Sequence, residues 1–242
     1  MEIPTFIRTV AVYALFPAFA VLIGGVLAAR RPPGPRLRSI FQHVAAGVVF
    51  AAVAGELLPE ITAMHDVTGV IVGFAIGVAL MLAVRQLTEP AEGAAEHDAN
   101  PKGLVITVVV DLLVDGLLVG IGFAAGAEVG ILVTVALTLE VLFLGLATAA
   151  SLVRAGARQT QVIATSIGLG ATVVTSAVAG AVVLGGLTGT PLAAMLGFGS
   201  AALLYLVTEE LLVEAHEVPE TPLATASFFA GFLVLLVIDM LA

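Results

Sequence analysis

Eight long apolar runs, separated by short polar or turn-forming interruptions, organise the chain. They predict helical spans at residues 8–29, 40–63, 68–86, 103–126, 129–152, 160–186, 190–214 and 221–242. Each is near the roughly 20 residues that a helix needs to cross a bilayer core. The interruptions have a physical reading. Arg30-Arg31-Pro32-Pro33-Gly34-Pro35 ends the first span, because proline removes a backbone donor and blocks helix continuation. Gly185-Gly186-Leu187-Thr188-Gly189-Thr190-Pro191 divides the uncharged stretch between Arg158 and Glu209 into two helices. Only one sizeable polar loop is expected, at 88–102, with Glu89, Glu92, Glu96, His97, Asp98 and Lys102. The spans group as three, then a tight pair joined at Ala127-Glu128, then three more. The expected fold class is therefore an all-α integral membrane protein, with residues 1–242 forming one transmembrane domain.

Composition supports this pattern. The chain is 60% hydrophobic and 11% charged, with a mean hydropathy of +1.16, far from the balance of a soluble domain. Arg8 precedes the first apolar run without a small-residue cleavage pattern, so that run reads as a retained span. The absence of Cys removes disulfides, thiolate ligands and Cys nucleophiles. A net charge of −9 argues against a nucleic-acid partner, since phosphate binding relies on Lys and Arg. Eight Arg against a single Lys, with abundant Ala, Gly and Val, points to a GC-rich prokaryotic genome.

Basic residues set the expected orientation. Arg30, Arg31, Arg36 and Arg38 follow span one, Arg85 and Lys102 flank the loop after span three, and Arg154 and Arg158 follow span five. All lie on one side of an eight-span chain, which the positive-inside rule assigns to the cytoplasm. Both termini are then expected outside, the 88–102 loop inside, and the protein in the cell membrane as a multi-pass chain.

The candidate chemistry lies where lipid-facing residues should be apolar. A charged side chain at mid-bilayer costs at least ~2.5 kcal/mol, so intramembrane acids are candidates for function. Asp111 and Asp115 in span four and Glu140 in span five fall near the midplane. Four residues apart, Asp111 and Asp115 share a helix face about 6 Å apart along the axis. Such like charges repel unless a proton or cation intervenes. A divalent cation would resolve the conflict, with proton movement coupled to the metal. Gly116, Gly120, Gly122 and Gly126 in span four, and Gly130 and Gly145 in span five, offer surfaces for close helix approach.

Other polar residues extend this picture. Glu56 and Glu60, towards the outer end of span two, could attract cations to an entrance. Glu209, Glu210 and Glu214, with Tyr205 one turn earlier, could line an exit, Glu210 adding a ligand. His43 reads as a packed or headgroup-facing imidazole, and His97 and His216 as loop residues with neighbouring acids. Thr165, Ser166, Thr172, Thr175 and Ser176 in span six are expected to bond to helix backbone. No Ser and His form a mid-membrane dyad and no Gly-Asp protease motif is present, so no enzymatic activity is expected.

These residues resemble the ZIP (ZRT/IRT-like) family of metal transporters. Asp111-Leu112-Leu113-Val114-Asp115-Gly116 is similar to that family's fourth-span pattern, His-Asn-x-x-Asp/Glu-Gly, and Glu140-Val141-Leu142-Phe143-Leu144-Gly145 to its fifth. Leu57-Leu58-Pro59-Glu60, the run from Tyr205 through Glu209-Glu210 and Glu214 to His216, and Gly231, Phe232 and Asp239 resemble its second, seventh and last spans. The resemblance implies a 3+2+3 arrangement of eight spans, both termini outside, a metal site between spans four and five, and a homodimer.

The departures from that pattern concern the ligands. Leu112, Val141 and Ala171 stand where the family supplies ligands to a second metal, and Leu144 replaces a usual ligand of the first. Histidine gives way to Asp111 and Glu140. The resemblance thus implies one site, with Asp111, Asp115, Glu140 and Glu210 as metal ligands and Glu56, Glu60, Tyr205, Glu209 and Glu214 along the pathway. Oxygen ligands favour harder ions such as manganese, while zinc is the family default and iron a third candidate. Val114 and Phe143 occupy positions where the family has prolines, so straighter helices are expected there. The expected function is transport of a divalent metal substrate with no resident cofactor and no partner beyond lipid and a second copy. A non-transporting metal sensor or structural protein, and a cation channel, are the alternatives.

Overall fold

The computed structural model describes residues 3–31, 33–88 and 101–241. Within them the chain is helical, without strands, and eight helices are long and apolar enough to cross a membrane. They are α1 (Ile3–Arg30), α2 (Pro35–Met64), α3 (Val67–Thr88), α4 (Pro101–Ala125), α5 (Ala127–Arg154), α6 (Gln159–Leu184), α7 (Thr190–Ala215) and α8 (Pro222–Leu241). Each matches an expected span to within a few residues. The first begins at Ile3 rather than residue 8, so Arg8 lies within the helix. Glu89, Glu92, Glu96, His97 and Asp98 of the expected loop lie outside the described residues.

Three helices are locally irregular. The first is interrupted at Ala14, one turn before Pro17, whose ring cannot donate to or pack against the carbonyl of Tyr13. A wider π-type turn at Val53–Leu57 in α2 likewise precedes Pro59. A second π-type turn, Leu206–Leu211 in α7, contains no proline. There the Thr208 hydroxyl donates to the Leu204 carbonyl at 2.9 Å, a local competitor of the regular ladder. By contrast α4 and α5 run uninterrupted through Val114 and Phe143. A single residue, Gly126, separates those two helices. Between α6 and α7, Gly186 (φ +89°) and Gly189 (φ +61°) adopt left-handed backbone that side chains disfavour.

Glycine determines which helices meet. On α3, Gly69, Gly73 and Gly77 recur every fourth residue against Thr190, Ala194 and Phe198 of α7. On α1, Gly24 faces Leu142 of α5 and Gly25 faces Ser166 of α6. Gly47 of α2 abuts the Phe228 carbonyl of α8, and Gly231 of α8 abuts the Val44 carbonyl in return. Gly116 lets α4 reach α6. Close approach of this kind replaces the hydrophobic driving force that lipid does not supply. Two packing groups result. In one, α1 and α4 both pack on α5 and α6; in the other, α3 packs on α7 and α2 on α8, and α2 joins the two groups by packing on both α5 and α7. The most deeply packed helix is α7, two thirds of whose apolar stretch is buried, whereas α3 and α8 are mostly exposed and form the periphery.

Hydroxyls are largely spent on backbone. Ser166, Thr172 and Thr175 donate to carbonyls four residues back, and Ser176 donates to Val173 in its own helix and to Leu112 of α4 at 3.3 Å. Outside the spans, the Thr190 hydroxyl and the Gly69 amide (2.9 Å) hold the Asp66 carboxyl below the usual carboxylate range, at the start of α3. A carboxylate so held contributes stability above its ordinary value and loses it as pH falls through its lowered one. Asp66→Ala therefore lowers the melting temperature of the purified protein at neutral pH. The difference from wild type closes on acidification, as a pH series of melting curves will read.

Candidate metal centre

The centre is built where α4 and α5 face one another. Asp115 lies near the middle of α4 and Glu140 at the middle of α5, 4% and 2% exposed respectively. Their carboxyl groups are within hydrogen-bonding reach of each other. Among the described residues no donor reaches Oδ2 of Asp115 or Oε2 of Glu140. Two facing carboxyl groups have only acceptor oxygens unless a proton or a cation lies between them. The walls around the pair are apolar: Leu112 and Val141, fully buried, pack with Val173 beneath it. Apolar neighbours on this side offer the pair no hydrogen-bond partner, and the chemistry left to it is to hold a proton or a positive ion.

Asp111 and Glu210 sit between this pair and a larger space. With Asp115, Met81 and Ala202 they line a void of about 10 Å³, close to the volume one water or one ion centre requires. On their other side they line a cavity of about 200 Å³ together with Glu140, Glu209, Glu214 and Tyr205. Thus five of the expected acids converge on one cavity, and the sixth, Asp115, adjoins it. The π-type turn of α7 carries Glu209 and Glu210, both of which reach the cavity from consecutive positions. Among the described residues, no three His, Asp or Glu side chains are drawn tightly enough together to form a ready-made metal cage.

Two cavity residues, Arg85 and Gln42, were not expected there, nor was Arg38, which bonds to the cavity's Glu214 from outside it. Arg85 of α3 bonds to Glu209 at 3.0 Å. Arg38 of α2 bonds to Glu214 at 2.8 Å, and Gln42, one turn further along α2, also donates to Glu214. In the sequence the arginines served only to orient the chain. The usable signal was the spacing of Arg38 and Gln42, polar residues four apart at the end of an apolar run. These contacts join α2 and α3 to α7, at the end of the bundle that carries most of the basic residues.

Two expected pathway residues lie elsewhere. Glu56 hydrogen-bonds with Asp239 and lines a separate cavity of about 210 Å³ between α2 and α8. Glu60 is half-buried one turn beyond and lines neither cavity. His43 is buried as expected, its Nδ1 2.8 Å from the Ser39 carbonyl, and its ring meets His216 edge-on with centroids 5.3 Å apart. His216 also pairs with Glu220 at 2.5 Å.

Comparison with known proteins finds no matching family model and no similar curated protein. The functional reading therefore rests on the residues and their geometry.

Proposed function

We propose that this chain is a ZIP-like transporter that moves a divalent metal cation of the zinc, manganese or iron class across the cell membrane, through a single carboxylate site at mid-bilayer. The observation that carries this reading is the pair Asp115 and Glu140. Two acids are buried face to face halfway along two adjoining spans, each with one carboxyl oxygen that no donor reaches among the described residues. Burying such groups is costly, and a cation between them offsets that cost. Asp111 and Glu210 supply the next oxygens, and a cavity rich in carboxylates leads away from them. Leu112 and Val141 leave no place for a second ion's ligands beside the first.

In this reading, Asp111 and Glu210 close on the buried pair when the ion binds, because the four oxygen donors do not already form a cage. The two packing groups are the bodies that move: the pair belongs to α4 and α5, whereas Glu210 belongs to α7 in the other group. Sliding along that seam would carry the ion past the apolar wall. With the basic end in the cytoplasm and both termini outside, the cavity opens inward. An all-oxygen site ranks manganese and similar hard ions ahead of zinc.

Proteoliposomes loaded with a metal-sensitive dye and challenged with Mn²⁺, Fe²⁺, Zn²⁺, Mg²⁺ and Ca²⁺ test the function. Saturable uptake of at least one ion, with Mn²⁺ or Fe²⁺ preferred over Ca²⁺, is the expected outcome. No flux for any ion would return the chain to the sensor or structural alternative, and uptake that does not saturate would favour a channel. The single-site claim has its own check. Calorimetry should give one ion bound per chain, and two would contradict the loss of the second site.

A further inference from the structure

The cavity contains a built-in cation. Arg85 projects from α3 into the same space as Asp111, Glu140 and Glu210, bonded to Glu209 at 3.0 Å and beside the Tyr205 ring. It lies close enough to Glu210 to act on it electrostatically. Both members of the Arg85–Glu209 pair are almost half exposed, 44% and 45%, and such pairs contribute little to stability. They also lie on helices of the same packing group, α3 and α7, which the Gly69, Gly73 and Gly77 surface already joins. The pair is therefore not needed to hold those helices together. Its placement makes sense as chemistry: a guanidinium stays protonated under all physiological conditions, so its charge is permanent.

Resting on the reading of this cavity as a divalent-cation site, we propose that Arg85 sets the site's affinity. Its fixed positive charge occupies Glu209 and repels the ion at Glu210, so that the metal is held weakly enough to leave. A carboxylate-lined cavity without such a charge would bind a divalent ion tightly and release it slowly. Conduction needs the opposite balance, binding strong enough to enter and weak enough to exit. Arg38 performs a related task at Glu214 but has Gln42 as a second partner on that carboxylate, so Arg85 is the cleaner position to test.

The experiment is Mn²⁺ titration of the full chain in nanodiscs, with Zn²⁺ and Fe²⁺ as further probes, comparing wild type, Arg85→Gln, Arg85→Lys and Asp115→Asn. Arg85→Gln should bind Mn²⁺ about tenfold more tightly and, in proteoliposomes, show a lower KM together with a lower maximal rate. Arg85→Lys keeps the charge and should behave as wild type. A gain of affinity cannot arise from damaged folding, so the result separates charge from structure. Unchanged or weaker binding by Arg85→Gln, while wild type binds and Asp115→Asn does not, overturns the role of Arg85 and leaves the site standing. A wild-type protein that binds none of the three ions overturns the site and this proposal together.

Discussion

Replacing Asp115 with Asn abolishes divalent-cation uptake while the helix bundle stays folded. Asn has nearly the same shape and can still hydrogen-bond with Glu140, so the void it lines with Leu118 and Ala202 keeps its form. What disappears is one formal charge at the most buried position of the site, 4% exposed. Taking one partner from a buried ionic arrangement costs about 3–5 kcal/mol, which corresponds to a loss of at least about a hundredfold in affinity. The metal-free protein should respond in the opposite sense. Its two buried carboxyl groups no longer compete, so the melting temperature is equal to or above that of wild type. Uptake assays and melting curves on the same preparation read both effects. Uptake equal to wild type would remove Asp115 from the site, and a collapse in stability would show that its role is structural.

The second large effect concerns the residue after it. Gly116→Val unfolds or severely weakens the packing of α4 on α6. A Cβ at Gly116 would run into the Ser176 hydroxyl and approach the Val173 carbonyl to 2.5 Å and the Ala177 amide to 2.9 Å. The obstacles are largely backbone, which cannot rotate away. Overpacking of this kind costs about 1–3 kcal/mol, occasionally more. The same change lifts α4 away from α6 and displaces Asp115 from Glu140, so metal binding falls with stability. Gly126 supplies the control. Nothing lies within 4 Å of its added Cβ, and its φ of 168° is extended backbone, so Gly126→Ala should melt and bind as wild type. The pairing of Asp115 with Gly116 thus has a physical reason: the acid faces the site while the glycine admits the neighbouring helix.

The glycines show how much of the fold could be read in advance. The eight spans were legible because an apolar run bounded by proline, glycine or arginine has few alternatives in a bilayer. Their mutual arrangement was not. Helices that are apolar on every side carry no amphipathic stripe to announce which face is inside. Gly116, Gly122, Gly130 and Gly145 were recognised as approach surfaces and do face close neighbours, whereas Gly126 was grouped with them and faces none. The repeat of Gly69, Gly73 and Gly77 was equally visible in the sequence but marks its partner only once α7 is beside it. The turns at Ala14 and Val53–Leu57 follow from Pro17 and Pro59, so they were available to a reading of proline placement.

The candidate site divides in the same way. Asp111, Asp115 and Glu140 stood out as charges at mid-span, and Glu209, Glu210, Glu214 and Tyr205 as a cluster at the end of another span. Their convergence on one cavity depends on α7 lying across the seam from α4 and α5, a tertiary fact with no local signature. Glu56 stood out as an entrance residue because it lies towards the outer end of α2. Its hydrogen bond with Asp239 was not legible, because it depends on α8 packing on α2 through Gly47 and Gly231. Arg85 was not legible for a different reason. A basic residue at a span end already satisfies the orientation rule, so nothing local marks its side chain as part of a cavity.

In the proposed function, one divalent ion binds between α4 and α5 at Asp115 and Glu140. The most direct test is anomalous scattering from crystals soaked in Mn²⁺, with data collected at the metal's absorption edge. The predicted result is a single peak per chain, bridging the Asp115 and Glu140 carboxylates and approached by Asp111 and Glu210. Two adjacent peaks, a peak confined to Glu56 and Asp239, or no peak near the pair would contradict the account.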